Sequence, residues 1–570
     1  MPEASLDPKA FTDAVQPFLN VLQQKFADEP LCVSDIRDAK GKQYVDLVQE
    51  GGGVHGIALA GYTYMLEKMN IGFMKMAGTS AGSINTLLLN AVYTKAEAEA
   101  VGAMGSYYET RSEKVLEYLA NKPLTDMVDG DPMWRKLLLK MFSGAVGMAG
   151  LVKTVKAVKQ RAIIAAIALV ILILSSLGLA LLNTESSLYD VVRWLTVAAA
   201  LTLVVILGFL IARVSFVRAL YHRLERLGIN PGNNFEQWIQ KETLETNGIY
   251  SVTHLKEKLL REEGVLNYHY ETCKKAAPLE PEQSKITNIA AFQNLLQKVQ
   301  DIQVKIDDVF EEVENYLPEN DNPANAAELP WIIQAFEQRL KKEHNTVTKE
   351  IVIVSSDITH EIKVEFPGMH AMYWGNDYSI SPAKYVRASM SVPFFFKPFQ
   401  IDFASEQKAN IEKEWFQFMK VQKKLEPCAL LVDGGMLSNF PINVFYNSAI
   451  PVPRKPTFGI RLEYEDDSAP AVVKSWAGFG GKLISTMRFF YDRDFILKHD
   501  MYQKTVRSID TGKIHWLNFN LTDEEKIELF FRGALAATIF LAKHKLTAAE
   551  VEALKKQGET VAFNKSTFSI

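Results

Sequence analysis

A chain of 570 residues, 48% hydrophobic and 23% charged, has the balance of a folded globular protein and excludes collagen-like, disordered and disulfide-scaffold classes. Its 63 basic and 67 acidic residues leave a formal charge of −4, so no bulk basic field speaks for nucleic acid as a partner. Cys32, Cys273 and Cys428 stand far apart with no CxxC spacing, which suits a reducing compartment. The mean hydropathy of −0.03 averages over very unequal segments.

Residues 1–39 form an N-terminal segment whose opening stretch, 1–8, is polar and without the basic and apolar stretches of a secretory signal. Residues 44–49 (YVDLVQ) then read as a buried strand. They run into Glu50 and the loop Gly51-Gly52-Gly53-Val54-His55-Gly56, followed by an apolar helix pattern from Ile57 to Met69. Glycines at a strand end leave backbone amides uncovered, and a helix N-terminus beside them adds partial positive charge, so the loop can hold an anion. The loop also fits G-x-G-x-x-G, but a dinucleotide site wants an acid at the end of the next strand. That strand, near Ile71 to Ala77, ends instead in Gly78-Thr79-Ser80-Ala81-Gly82. This is G-x-S-x-G, a tight strand-to-helix turn that exposes a nucleophilic serine, with 83–92 as the helix. The alternative for Ser80 is a plain helix cap.

Two apolar runs come next, 162–182 (21 uncharged residues) and 195–212 (18), separated by the polar stretch 183–193. At ~1.5 Å per residue the first would span about 31 Å, one bilayer core, so the pair reads as a transmembrane hairpin; a buried helical hairpin in a large soluble domain and a re-entrant or membrane-surface hairpin are the alternatives. Lys153, Lys156, Lys159 and Arg161 precede it, and Arg213, Arg218, Arg223 and Arg226 follow it. The positive-inside rule puts both outer ends in the cytoplasm. Residues 286–317 show the period of an amphipathic helix, and 318–330 (PENDNPANAAELP) read as a linker.

Residues 428–432 (CALLV) read as another buried strand, ending in Asp433-Gly434-Gly435, with Asn439-Phe440-Pro441 as a turn into the next helix. Three readings stay open for Asp433. It is the direct proton acceptor for Ser80, or the acid that orients a histidine, with His499, His515 and His544 downstream in the right order, or a turn-capping aspartate before Gly-Gly.

Gly51–Gly56, Gly78–Gly82 and Asp433–Gly435, in that order, resemble the signature blocks of the patatin-like phospholipases, and 387–393 (RASMSVP) resembles the family's segment before the aspartate strand. The resemblance covers roughly 40–142 and 350–460, and weakly to about 545. It implies a three-layer α/β/α core with a mostly parallel sheet, interrupted here by the hairpin and an α-helical insertion. It implies cleavage of lipid acyl esters, of phospholipase A or lysophospholipase type, by a Ser–Asp dyad without metal or cofactor. Ser80 would be the nucleophile and Asp433 the proton acceptor. The oxyanion hole would fall among Gly51, Gly52, Gly53, Val54 and Gly56, while Gly78, Gly82, Gly434, Gly435 and His55 would support the motifs. The family usually carries Arg or Lys where His55 stands, so the site lacks a fixed charge unless His55 is protonated.

The organisation expected is therefore an N-terminal segment (1–39), a first half of the core (40–142), a membrane hairpin (143–228, helices about 162–182 and 195–212), a helical insertion (229–349), a second half of the core (350–545) and a C-terminal tail (546–570). The expected protein is a two-span membrane protein acting on membrane lipids, with its catalytic part in the cytoplasm. A lipid acyltransferase on the same dyad and a catalytically silent lipid-binding scaffold are the alternatives.

Overall fold

The computed structural model describes residues 7–34, 36–38, 40–101, 105–130, 135, 148–181, 187–224, 228–263, 348–419, 425–446, 455–463, 486, 490 and 492–563. Its centre is a sheet of eight strands. These are β1 (Gln43–Gln49), β2 (Ile71–Thr79), β4 (Glu350–Asp357), β5 (Ile362–Phe366), β7 (Phe399–Asp402), β8 (Cys428–Asp433), β9 (Thr457–Glu463) and β10 (Val506–Asp510), in the order β10-β9-β1-β2-β4-β8-β7 with β5 also on β4. The first five in that order are mutually parallel; β5, β7 and β8 add antiparallel pairs. This is the mixed α/β, mostly parallel core expected.

One detail of the pairing positions the site. β2 pairs with residues 350–354 of β4, β8 with 355–357 and β5 with 353–357. Because β5 overlaps both β2 and β8, it must occupy the opposite edge of β4. β2 and β8 therefore share one edge, meeting end to end where Thr79 lies against Val354 and Asp433 against Ser355.

The helices explain why the strands read as continuous apolar runs. On one face lie α2 (Gly56–Lys68), α3 (Ala81–Ala91), α4 (Arg111–Asn121) and α8 (Asp523–Leu541). α2 is buried all round from Ile57 to Leu66 because α8 covers it from outside. The N-terminal segment contributes α1 (Pro8–Lys25), capped by Asp7. Its Phe11, Val15, Phe18, Leu19 and Leu22 are buried on one face, with Phe11 against Phe530 and Phe18 against Phe531. The expected C-terminal tail is helical as well: α9 (Ala548–Phe563) buries Leu554 and is tied to α1 by Lys25–Glu550 at 2.8 Å. The other face buries Val48, Ala77, Val352 and Val354 under Phe440 and Ile442, with Phe495, Ile496 and Tyr502 packed beyond.

The two apolar runs lie in α5 (Met148–Leu181) and α6 (Ser187–Leu224), which pack along each other. Both helices outrun the apolar windows. Hydropathy marks where charges stop, not where a helix stops, and Lys and Arg are good helix formers. The stretch 183–193 is accordingly not all turn: α6 starts at Ser187, with Asp190 in its first turn, where the helix dipole favours an acid. Ala165, Ala168 and Ala199 are buried, while Ile173, Leu174, Leu201, Val204 and Val205 are exposed. Among the described residues one helical stretch, Tyr189–Phe209, is long and apolar enough to cross a membrane; Ile163–Leu177 is apolar but shorter.

The insertion is not wholly helical. Its first residues form β3 (Gly228–Asn230), parallel to β6 (Phe394–Phe396), before the helical segments at 233–247 and 252–263. The expected helix at 286–317 and the linker at 318–330 lie outside the described residues. No helix directly follows Asn439-Phe440-Pro441; residues 442–445 form a turn that packs on the sheet, with Ile442 fully buried.

Candidate active site

Ser80 follows β2 with φ 51° and ψ −119°, a left-handed geometry that L side chains rarely adopt. The strain is held by backbone bonds. The Ser80 amide donates to Ser389 Oγ (2.9 Å), whose hydroxyl donates to Val354 O (2.6 Å). The Ser80 carbonyl accepts from the Ser83 amide (2.9 Å) and from Ser83 Oγ (2.5 Å). Close approach explains the flanking glycines: a Cβ at Gly78 would lie 2.2 Å from Gly82 O, and one at Gly82 would lie 2.4 Å from Gln49 O. The Ser80 hydroxyl faces Met390 Sδ at 3.1 Å.

Asp433 reaches the same point from the other strand of the shared edge. Its amide donates to Ser391 O (2.9 Å), and its Oδ1 accepts from the Gly435 amide (2.7 Å), which fixes the carboxylate. A Cβ at Gly434 would lie 2.2 Å from Val354 O and 3.0 Å from Thr79 Cγ2, so the turn after Asp433 sits directly on the strand end that carries Ser80. The three-residue stretch 389–391 thus holds both residues, through Ser389 and Ser391. It is braced in turn by buried Arg387 of α7 (Ala383–Ser389), which donates to Ser391 Oγ (2.6 Å), Pro231 O (2.6 Å) and Lys397 O (3.0 Å).

The glycine loop lies beside Ser80: a Cβ at Gly51 would fall 2.9 Å from Ser80 Cβ. The structure narrows the expected oxyanion donors. The Gly51 amide donates to Asn439 O (3.0 Å), the Val54 amide to Trp516 O (2.9 Å), and the Gly56 amide to the carbonyls of Gly53 and Val54. The cause is Gly53, whose φ of 54° turns the chain so that Val54 points away; a Cβ there would lie 2.1 Å from Trp516 O. Among the described residues, the amides of Gly52 and Gly53 have no acceptor.

His55 does not replace a fixed cation. It is buried, with Nε2 2.7 Å from Ile514 O, and burial pushes its pKa down to about 4, assisted by repulsion from His515 and opposed by the Ile514 carbonyl. Its neutral ring acts as a strut between the loop and the segment after β10. The other downstream histidines are packed or solvent-facing. His499 Nδ1 lies 2.8 Å from Phe495 O, and His544 is exposed.

Several residues around the site carry weak sequence signals. Buried Asn439 donates to Glu50 Oε1 (3.0 Å) and Gly51 O (3.1 Å), and Glu50 Oε2 accepts from the Leu462 amide (2.7 Å). Asp492 accepts from Ser438 Oγ (2.9 Å) and the Phe440 amide (2.8 Å), while Thr79 Oγ1 donates to Ser438 O (3.0 Å). Burial raises the Asp492 pKa to about 6. Glu50 was legible only as an acid before glycines, and Asn439 only as a turn residue.

A narrow cavity of about 30 Å³ leads away from the loop, between Gly53, Ala81 and Met390. Ile57, Ile84, Leu119 and Phe519 line it further along, and Asn85 is its one polar side chain outside the backbone. Among the described residues no three of His, Cys, Asp and Glu are grouped as metal ligands would be.

The family model of patatin-like phospholipases matches residues 47–126, which hold the glycine loop and the Ser80 turn. The chain is 25% identical over 190 residues to YqhO of Bacillus subtilis, itself described as an uncharacterized protein; the match spans 33% of this chain and 56%, just over half, of that relative. VipD from Legionella pneumophila, a solved structure, aligns over 90% of this chain and 70% of its own at 12% identity, with a TM-score of 0.32, too low to show a shared fold.

Proposed function

We propose that this chain, which resembles the patatin-like phospholipases, is a lipid acyl hydrolase of phospholipase A or lysophospholipase type working through Ser80 and Asp433. The observation that carries the reading is the shared β4 edge, which sets the strained Ser80 turn end to end with the Asp433 turn, beside the amides of Gly52 and Gly53, which have no acceptor among the described residues. Ser80 Oγ attacks the acyl carbonyl carbon while Asp433 accepts its proton. The amides of Gly52 and Gly53 stabilise the negative oxygen of the tetrahedral intermediate, and one such donor is typically worth about 3 kcal/mol. The C–O bond to the lipid alcohol then breaks, the alcohol leaves with the proton held by Asp433, and an acyl-Ser80 ester remains. Water, deprotonated by Asp433, attacks that ester; the C–O bond to Ser80 breaks, Ser80 Oγ takes the proton back from Asp433, and the fatty acid leaves. The apolar cavity beside Met390 suits the start of an acyl chain. The test is hydrolysis of a panel of phospholipids and lysophospholipids by wild type and Ser80→Ala; equal fatty-acid release by both would sink the reading. Release of transacylated lipid instead of free acid would assign the same dyad to acyl transfer. Ser80 unreactive towards acyl esters and fluorophosphonates alike would favour a silent scaffold.

The helical pair α5–α6 supports membrane insertion by its inside-out packing, with small Ala165, Ala168 and Ala199 between the helices and large apolar side chains outside. Our reading is that both helices span the bilayer and that the basic flanks keep both outer ends, and the catalytic part, in the cytoplasm. In a chain whose Cys32, Cys273 and Cys428 are replaced by serine, Glu185→Cys should then react with an impermeant thiol reagent only from the non-cytoplasmic side; labelling from the cytoplasmic side would refute this orientation.

A further inference from the structure

A second cavity, of about 490 Å³, lies at the opposite end of the sheet. Tyr44 and Gly72, at the starts of β1 and β2, are in its wall, whereas Ser80 follows the end of β2. At ~3.3 Å per strand residue Gly72 lies roughly 25 Å from Ser80.

The cavity's buried charges are unequally matched. Arg111 holds Glu97 in a fork, Nε–Oε2 3.0 Å and Nη2–Oε1 2.9 Å, and reaches Glu262 Oε1 at 2.8 Å. Lys349 Nζ lies 3.1 Å from Glu262 Oε2, and Lys258 Nζ bonds Glu262 Oε1. Three buried cations therefore share two carboxylates. The C-terminal end of α3 takes part of the excess, since Arg111 Nη1 donates to Leu89 O (3.1 Å) and Lys349 to Asn90 Oδ1 (3.4 Å). The remaining acids in the wall are already used or exposed. Glu67 accepts the amides of Arg111 and Ser112, Asp38 those of Lys40 and Lys42, and Glu109 faces solvent.

The excess concentrates on Lys258. It is 2% exposed. An ammonium has three hydrogens to donate; among the described residues Glu262 is its one hydrogen-bond acceptor, and the Tyr93 ring centre is 4.2 Å away. Burial without a full set of partners pushes Lys258 down to about 8. The exposed Arg261, with Lys40 and Lys42, adds further cations to the wall, and Phe73, Met76 and Leu89 give it an apolar stretch. A cavity of this size that joins an apolar stretch to convergent charges is of the kind that binds small molecules.

We propose that this cavity binds a small amphiphilic anion, with one carboxylate or phosphate monoester group on Lys258 and Lys349 and an apolar body against Phe73 and Met76. Calorimetric titration of the full chain carrying Ser80→Ala with octanoate, octyl phosphate and octylammonium tests it. Either anion should bind, the tighter one naming the headgroup, and octylammonium should bind at least tenfold more weakly. Lys258→Met, which leaves Glu262 paired to Arg111 and Lys349, should weaken the anion tenfold or more. Arg261→Glu, at an exposed position, should weaken it too and serves if Lys258→Met does not fold. Absence of anion binding, equal binding of octylammonium, or anion binding unchanged in both variants would overturn the proposal; the last would put the ligand in the cavity beside Ser80.

Discussion

Two single residues carry sharp expectations. Gly53 has a positive φ and no room for a methyl group, so Gly53→Ala must move the loop away from Trp516 O. Hydrolysis by a folded Gly53→Ala protein should fall about 10²–10³-fold, the usual effect of losing an oxyanion donor, with substrate affinity little changed; kcat and KM on one lysophospholipid check this. His55 has its folded pKa lowered from 6.5 to about 4. A histidine kept neutral by burial contributes stability that is complete above pH 6.5 and is lost as pH falls towards 4, because the unfolded chain takes up the proton first. The shift corresponds to roughly 3 kcal/mol at most. Thermal melts from pH 7 to pH 4 should show the decline, and His55→Gln, which keeps an N–H for Ile514 O, should flatten it.

Among elements, the site depends on segments that no local pattern connects. Asn439 ties the turn after Asp433 to Glu50 and the glycine loop. Asn439→Ala should therefore lower kcat about tenfold or more while melting within a few degrees of wild type; a loss confined to KM would contradict its positioning role. α6 allows a separate test, since Leu201 is 62% exposed on the stretch long enough to cross a membrane. Leu201→Lys should cost about 3 kcal/mol of insertion and reduce the alkali-resistant membrane fraction. These elements also show how far the chain could be read without coordinates. β1, β2, β8 and the helices after the two glycine motifs were legible, because buried strands and strand-to-helix glycine turns have local signatures. The end-to-end use of β4 by β2 and β8 was not, since it joins residues 353 positions apart (433 − 80) through a strand that contributes no motif. Which amides of the glycine loop are already engaged was not legible, for a related reason. Glycine content marks where amides can be uncovered, but the acceptors of Gly51 and Val54, Asn439 O and Trp516 O, arrive from distant segments. Arg387 was visible within its motif, yet its role as a brace appears only once Pro231 and Lys397 are brought beside it.

At the scale of the whole molecule, a sheet end carrying the Ser80 and Asp433 turns, an inside-out helical pair and a charged cavity at the far end of the strands sit in one chain whose average composition hides all three. Everything proposed for its chemistry turns on Ser80 being an activated nucleophile. The most direct measurement is mass-spectrometric location and timing of the covalent adduct formed with a fluorophosphonate on wild type, Ser80→Ala and Asp433→Asn. The account predicts an adduct on the peptide containing Ser80, none in Ser80→Ala, and labelling slowed about 10²-fold or more in Asp433→Asn. Labelling at an undiminished rate in Ser80→Ala, or in Asp433→Asn, would contradict it.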